Sequence, residues 1–319
     1  MLSRGITRRA VVIGGLCAVL LVLAYLTAVW TATGQRFEDA VLSSAVGGRQ
    51  DAAVGALDAI TVWSLAAAVL VVFALGRLRG GPLLGLTAAG VIVAAVLITE
   101  VLQYTLPRPL LLAHGYRRED HSFPSGHAAI AMSVTCALLL VVPHRFRAVA
   151  ALPAALAAAG VGALTVNASW HRPSDVAGSA LIVLMCVCAA TALLDRRGAL
   201  QPVGPARAGG GAERISGRAA VVVLAAGVLV ELVVAVTVGA RVAGELAASA
   251  DPDLVPRSTL IAGRAAALAD GGLVVLGLLI LLRGTDLRPG VTNRSGRRPA
   301  ARSGGRQAEP TIRPTGRAH

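Results

Sequence analysis

The sequence contains no lysine and little charge of any kind, and both shortages exclude common classes of protein. All thirty of its Lys and Arg residues are arginine, and charged residues make up 15% of the chain, against 55% for hydrophobic residues. The mean hydropathy of +0.70 is too high for an ordinary soluble domain. The composition therefore predicts a polytopic membrane protein.

Cysteine is also scarce, with four residues that all lie inside apolar runs: Cys17, Cys136, Cys186 and Cys188. A free cysteine in such a run behaves as a small hydrophobic residue. The last two are two positions apart and would point to different faces of a helix. The spacing indicates neither a disulfide framework nor a zinc site, and we expect no metal and no cofactor.

The net charge of +13 raises nucleic acid as a possible partner. However, most of the arginines flank apolar runs, where positive charge sets membrane topology. No soluble nucleic-acid-binding fold can be built from these segments. We therefore expect membrane lipids, and not nucleic acid, as partners, while the oligomeric state stays open.

Eight apolar runs are long enough to cross a bilayer. The first, at 11–30, is too long for the apolar region of a signal peptide and lacks a clear cleavage site, so we interpret it as a retained transmembrane helix. The other seven lie at about 57–76, 82–105, 126–143, 148–167, 176–194, 219–240 and 260–282. We predict an all-α protein with about eight transmembrane helices.

Composition divides this chain into four regions. Residues 1–194 are predicted to form a six-helix core, and 195–218 a cytoplasmic linker rich in Gly, Pro, Ala and Arg. Residues 219–283 then form a transmembrane hairpin, and the basic segment 284–319 has the composition of a disordered tail. That tail is either a charged cytoplasmic tail or a contact for anionic lipids.

Arginine counts predict the orientation in the plasma membrane. With both termini in the cytoplasm, the inside segments hold 21 of the 30 arginines and the outside segments hold 9. In that orientation, three separate polar segments reach the outer face: Arg108–Pro109, Ser125–His127 and His171–Asp175. Because they share one membrane surface, they can converge into one site.

The segment Ser125-Gly126-His127 stands out at the start of an apolar run. Glycine lets backbone N–H groups approach a ligand closely, and a helix N-terminus favours negative charge. We interpret this segment as the phosphate-binding end of a membrane-embedded active site facing outside.

His171 and Asp175 are separated by one helical turn, which lets a carboxylate approach an imidazole. Such a carboxylate fixes the histidine tautomer and raises its basicity. With His127 as a second imidazole, one histidine can attack phosphorus while the other protonates the leaving oxygen. The candidate donors for the developing negative charge are Arg108, Ser125 and Gly126.

Three segments together resemble a known family. Pro107-Arg108-Pro109, Pro124-Ser125-Gly126-His127 and Trp170-His171-Arg172-Pro173-Ser174-Asp175 resemble the signature motifs of the type-2 phosphatidic acid phosphatase and haloperoxidase-like superfamily. The resemblance is strong over 82–194 and does not reach the last two spans. It implies a six-helix core and a metal-independent lipid phosphatase.

The resemblance also implies a role for each matching residue. His171 is the expected nucleophile, which forms a phosphohistidine, and Asp175 is its orienting partner. His127 is the expected general acid. The residues expected to hold the phosphate oxygens are Arg108, Ser125 and Gly126.

Two departures from the family pattern concern cationic phosphate ligands. Val101 or Gln103 stands where the first motif usually has a lysine, and Leu164-Thr165 stand where the third has a Ser-Arg pair. Their loss weakens binding of phosphate and of the transition state unless other cations replace them. The candidate substitutes are Arg172, Arg117 and Arg118.

Several alternatives stay open at this level. A phosphotransferase would pass the phosphoryl group to an alcohol instead of water, and a degenerate relative would bind lipid phosphate without turnover. The substrate is a lipid phosphate or pyrophosphate of the polyprenyl pyrophosphate, phosphatidate or phosphatidylglycerol phosphate class. Glu231 and Asp270 lie within the last two spans, where carboxylates are costly, and Arg264 is a candidate partner for one of them.

Overall fold

Ten helices and one pair of short strands make up the described part of the chain. The computed structural model describes residues 3–45, 50–112, 121–203, 211–249, 251 and 254–287. The helices are α1 (Ser3–Val29), α2 (Ala32–Ala45), α3 (Gln50–Leu57), α4 (Val62–Gly80), α5 (Pro82–Thr105), α6 (Gly126–Val141), α7 (His144–Asn167), α8 (Pro173–Arg196), α9 (Gly211–Ala248) and α10 (Thr259–Leu281). The strands are β1 (Leu200–Pro202) and β2 (Thr285–Leu287).

Seven of these helices are long and apolar enough to cross a membrane: α1, α4, α5, α7, α8, α9 and α10. The eighth apolar segment, α6, has 16 residues. At 1.5 Å per residue it is about 24 Å long, shorter than the roughly 30 Å hydrocarbon core. The prediction of an all-α, multi-pass membrane protein is confirmed.

Helix α8 occupies the centre of the bundle. It packs against α1, α5, α6 and α10, and most of its side chains are buried. Small residues let neighbouring backbones approach, which is how helices associate closely in a membrane. Gly178 is such a position, because a Cβ there would lie 2.8 Å from Cζ of Phe123. This close approach seats the chain before α6 directly on α8.

The last two spans pack on the rest of the bundle. Helix α10 lies against α7 and α8, and α9 lies against α7 and α10. Glu231 lines a cavity of about 210 Å³ among α7, α9 and α10. Arg264, a candidate partner for Glu231 or Asp270, forms an ion pair with neither of these two described residues, and its Nε donates a hydrogen bond to Oδ1 of Asn167. The end of α7 and the start of α10 are adjacent, which brings these two side chains together.

The end of the bundle where α4 finishes and α5 begins is closed by the strand pair. β1 pairs antiparallel with β2, so that residues from the predicted linker contact the first residues of the predicted tail. Asp286 lies 2.9 Å from Nη2 of Arg79 and 3.7 Å from Nη2 of Arg147. The buried Arg147 also donates to the Thr285 carbonyl. The rest of the predicted tail, 288–319, lies outside the described residues.

Helices α2 and α3 occupy a stretch for which the sequence predicts only an outer loop. Helix α2 follows α1 after Trp30 and Thr31, and it has one buried face made of both apolar and polar residues. Helix α3 packs against α7. Both lie at the end of the bundle where α5 and α7 finish and where α6 and α8 begin.

Candidate active site

The three predicted polar segments lie at the same end of the bundle. Arg108 follows α5, Ser125 caps α6, and His171 precedes α8. The ring centroids of His127 and His171 are 6.4 Å apart. The Trp170 ring lies beside His127, with the centroids 5.3 Å apart. The two imidazoles are therefore separated by a short gap at this end of the bundle.

The first turn of α6 is held against α8 through Ser125. Its side-chain oxygen accepts the N-capping hydrogen bond from the Ala128 N–H at 3.3 Å. Its backbone N–H donates to the Asp175 carbonyl at 3.0 Å, and its carbonyl accepts from the Ser179 hydroxyl at 2.7 Å. The first N–H groups of any helix have no intrahelical partner, so this turn presents donors at the gap.

The His171 ring is oriented by two acceptors on Nδ1. That nitrogen lies 3.2 Å from the Ser122 carbonyl and 3.5 Å from Oδ2 of Asp175. Because both neighbours are acceptors, the proton of the neutral ring belongs on Nδ1, which leaves Nε2 with a free lone pair. Asp175 is fully buried, and its Oδ2 also accepts from the Arg172 N–H at 2.9 Å. This pair has the geometry of an oriented nucleophile.

Arg108 presents a buried guanidinium to the site, at ion-pair distance from Asp175 but without a hydrogen bond from its terminal nitrogens in the described residues. Its side chain is 6% exposed, and Nη1 lies 4.0 Å from Oδ1 of Asp175. Within the described residues, neither Nη1 nor Nη2 has a hydrogen-bond partner. Burial and the nearby charge of Arg172 lower the pKa of Arg108, although an arginine remains charged at neutral pH. Buried polar groups are normally hydrogen-bonded, so these donors fit an anionic ligand.

Arg172 lies elsewhere than predicted. Its Nε and Nη2 donate to Oδ1 of Asp39 at 3.2 and 2.9 Å, and its Nη1 donates to Oγ of Ser122 at 3.0 Å. The residue is 1% exposed. It precedes α8 on the side that faces α2, so its donors are used within the protein instead of pointing at the gap. The expectation that it contacts phosphate is therefore not supported by its position.

The other positions considered for phosphate binding supply no positively charged side chain within the described part of the chain. Arg117 and Arg118 lie outside the described residues. Val101 is exposed, and Gln103 donates to the His121 carbonyl at 3.2 Å. The structure instead places a carboxylate near the start of α6: a Cβ on Gly126 would lie 3.3 Å from Oε1 of Glu100.

Helix α2 supplies buried polar residues that the sequence reasoning missed. Gln35 donates to the Pro109 carbonyl and accepts from the Leu111 N–H at 3.1 Å, which holds the segment that carries Arg108. Oε2 of Glu38 accepts from the Ser174 hydroxyl at 2.8 Å. Asp39 completes this face through its bond to Arg172. Spacings of three and four residues place Gln35, Glu38 and Asp39 on one helix face. Three polar residues so close together in an apolar chain were the sequence signal that could have identified this face.

Glu38 couples the stability of this region to pH. Burial and the nearby charge of Asp175 raise the pKa of Glu38 from 4.5 to about 7, against the opposing effects of Ser174, Arg172 and Arg108. Because the folded state favours the neutral carboxyl, the contribution of Glu38 to stability is full below pH 4.5. It is lost as the pH rises through about 7.

We expect Glu38→Gln to flatten the pH dependence of stability. The amide keeps an acceptor for Ser174 and cannot ionise, so the difference in apparent unfolding temperature, variant minus wild type, should increase from pH 5 to pH 8. Thermal unfolding of the purified proteins in detergent measures it. Glu245→Gln, which alters an exposed carboxylate, is the control. Parallel curves for wild type and Glu38→Gln would contradict the assignment.

Comparison with known proteins identifies one domain. Comparison with curated proteins and with solved structures found no significant match. Comparison with protein families matches residues 83–199 to the PAP2 superfamily. That range runs from the start of α5 to just beyond α8, and it includes the two histidines, Asp175 and Arg108. Residues 83–199 of this multi-pass membrane protein therefore match the PAP2 superfamily, as the three motifs predicted.

Proposed function

We propose that this protein hydrolyses a lipid phosphate monoester or pyrophosphate through a phosphohistidine formed on His171. The observation that carries the proposal is the placement of the His171 and His127 rings, with centroids 6.4 Å apart, at the same end of the bundle as Arg108, whose terminal nitrogens have no hydrogen-bond partner among the described residues. Members of the PAP2 superfamily are generally phosphatases, which supports a phosphate hydrolase in a membrane. The lipid substrate is of the polyprenyl pyrophosphate, phosphatidate or phosphatidylglycerol phosphate class.

In the first half-reaction, phosphate oxygens bind Arg108 and the N–H groups that begin α6. The lone pair on Nε2 of His171 attacks phosphorus while the bond to the leaving oxygen breaks. His127 donates a proton to that oxygen, and Asp175 stabilises the positive charge that develops on the His171 ring. The products are the lipid alcohol, or the lipid monophosphate from a pyrophosphate, and phosphohistidine.

In the second half-reaction, water replaces the departed lipid. His127, now neutral, accepts a proton from that water as its oxygen attacks phosphorus. The bond between phosphorus and Nε2 breaks, inorganic phosphate leaves, and both histidines return to their starting states. Glu38, Asp39 and Arg172 take no part in bond changes, and we assign them to positioning.

A phosphate-release assay on the purified chain tests the proposal. We expect release from at least one of the three lipid classes in the presence of a chelator, because the proposed mechanism uses no metal. Brief incubation with labelled substrate should give a labelled protein whose label is stable to base and lost in acid, as expected for a phosphohistidine. Strict dependence on a divalent cation would count against the mechanism.

We further propose that the site faces outside and that both chain ends lie in the cytoplasm of a plasma-membrane protein. The excess of arginine at the opposite end supports this orientation. The native cysteines are all buried, so single introduced cysteines report topology. We expect Asp58→Cys, near the site, to react with a membrane-impermeant maleimide in intact cells. Arg77→Cys, at the other end, should react only after permeabilisation, and the reverse pattern would overturn the orientation.

A further inference from the structure

A cavity bordered by three arginines lies at the end of the bundle opposite His171. It has a volume of about 630 Å³ and opens between the start of α7, the first turns of α9 and the end of α10. Arg145, Arg218 and Arg283 lie around it, one from each of these three segments. This volume lies in the range of small-molecule sites, and the three cations come from parts of the chain far apart in sequence.

The positive charge of the cavity is not neutralised by the described part of the protein. Among the described residues, none of the three arginines forms an ion pair, and all three are exposed. Acidic side chains at this end have other partners, since Asp195 accepts from the Thr7 hydroxyl and Asp286 accepts from Arg79. An anion entering the cavity would therefore meet three available guanidinium groups.

The remaining walls of the cavity are apolar. Val221 and Val222 on α9 and Leu276 and Ile280 on α10 line it. Val222 and Ile280 are largely exposed on helices apolar enough to cross a membrane, so they lie where lipid hydrocarbon would contact them. The guanidinium of Arg145 lies over the exposed Phe146 ring, 4.6 Å from its centroid, an arrangement suited to the level of the lipid head groups.

We propose that this cavity binds an anionic phospholipid from the leaflet opposite the active site. The phosphate lies among Arg145, Arg218 and Arg283, and the first part of the acyl chains follows the apolar wall formed by α9 and α10. Basic pockets between transmembrane helices bind anionic head groups in this way. The site is separate from the phosphatase site and does not depend on that proposal, because the two lie at opposite ends of the bundle.

Native mass spectrometry of the full chain with added lipid tests the charge requirement. We expect phosphatidylglycerol to bind more tightly than phosphatidylcholine of the same chain length. The combined variant Arg145→Gln, Arg218→Gln, Arg283→Gln should bind phosphatidylglycerol about a hundredfold more weakly, from about fivefold per arginine. The charge-matched control is Arg77→Gln, Arg196→Gln, Arg197→Gln, which removes three exposed arginines at the same end outside the cavity. Equal losses in both variants would show surface attraction only and overturn the proposal.

A second variant keeps all the charge and fills the space. A Cβ on Gly217 would make ordinary contact, 3.4 Å from Cβ of Ala148, so the remainder of a leucine side chain must enter the cavity. We expect Gly217→Leu to weaken phosphatidylglycerol binding at least tenfold while the apparent unfolding temperature without lipid is kept. If Gly217→Leu binds phosphatidylglycerol as tightly as the wild type does, the cavity is not the binding site and the proposal is overturned. Full competition by millimolar inorganic phosphate would show a site for free anions and would also overturn it.

Discussion

Replacing His171 by asparagine is expected to abolish turnover, lowering kcat by about 10⁴-fold or more while the protein still folds. The loss follows because the variant has no nitrogen that can form the phosphorylated intermediate. The asparagine amide can still donate to the Ser122 carbonyl, which accepts from Nδ1 in the wild type. Phosphate release and trapping of labelled protein measure the effect, and the variant should show neither.

His127→Gln provides the matched comparison, because it removes a proton donor and keeps the nucleophile. We expect a loss of about 10²–10⁴-fold for an alkyl phosphate, whose leaving oxygen needs a proton. The loss should be much smaller in the release of nitrophenolate from 4-nitrophenyl phosphate, since this leaving group departs without protonation. His171→Asn should be inactive toward both substrates.

Two results would contradict these assignments. Wild-type turnover in His171→Asn would show that His171 is not the nucleophile. Equal losses for both leaving groups in His127→Gln would show that the residue is not the general acid. Apparent unfolding temperatures of all variants, measured in the same detergent, separate a catalytic loss from a folding defect.

Replacing Arg108 by glutamine is expected to lower kcat/KM by about 10³-fold, which is the second large effect. One fixed donor to a developing oxyanion contributes about 10²–10³-fold, and Arg108 offers two nitrogens without a described partner. Its removal breaks the 4.0 Å contact with Asp175 but no hydrogen bond in the described structure, so the unfolding temperature should fall less than in Arg172→Gln. Activity should therefore fall far more than stability.

Arg172→Gln is expected to give a different signature. Its removal leaves the half-buried Asp39 without its cation, and the cost of breaking a fully buried pair, about 3–5 kcal/mol, is an upper value here. The unfolding temperature should fall clearly, and the activity that remains in folded protein should exceed that of Arg108→Gln. Arg257→Gln, an exposed arginine at the same end, is the neutral control. A stability loss in Arg108→Gln as large as that in Arg172→Gln would show that Arg108 is structural.

Local pattern was enough to predict most of the helices and the centre of the site. Long apolar runs predicted the seven long spans and α6, because burying a helix in lipid requires only length and side-chain hydropathy. The segment Ser125–His127 predicted a helix N-terminus, and the spacing of His171 and Asp175 predicted that the carboxylate approaches the imidazole. Both inferences concern groups within a few residues of each other, where backbone geometry alone sets the distances.

Contacts between distant segments could not be predicted in this way. The direction of Arg172 depends on Asp39, 133 positions earlier in the chain, and only the packing of α2 against the site end of the bundle brings them together. The same holds for Gln35 and Glu38. A polar face on a short helix indicates that the helix has a partner, but it does not show which segment that partner is.

The amino-acid sequence by itself determined that this is a helical membrane protein with an oriented histidine–aspartate pair and a second histidine at a helix start, because hydropathy and short spacings are local properties. Only the tertiary structure decided that the rings of His127 and His171 lie 6.4 Å apart, that Arg108 and not Arg172 has donors without a hydrogen-bond partner among the described residues, and that three arginines surround a cavity at the other end. Those outcomes depend on how helices far apart in the chain pack, and no local pattern specifies that packing.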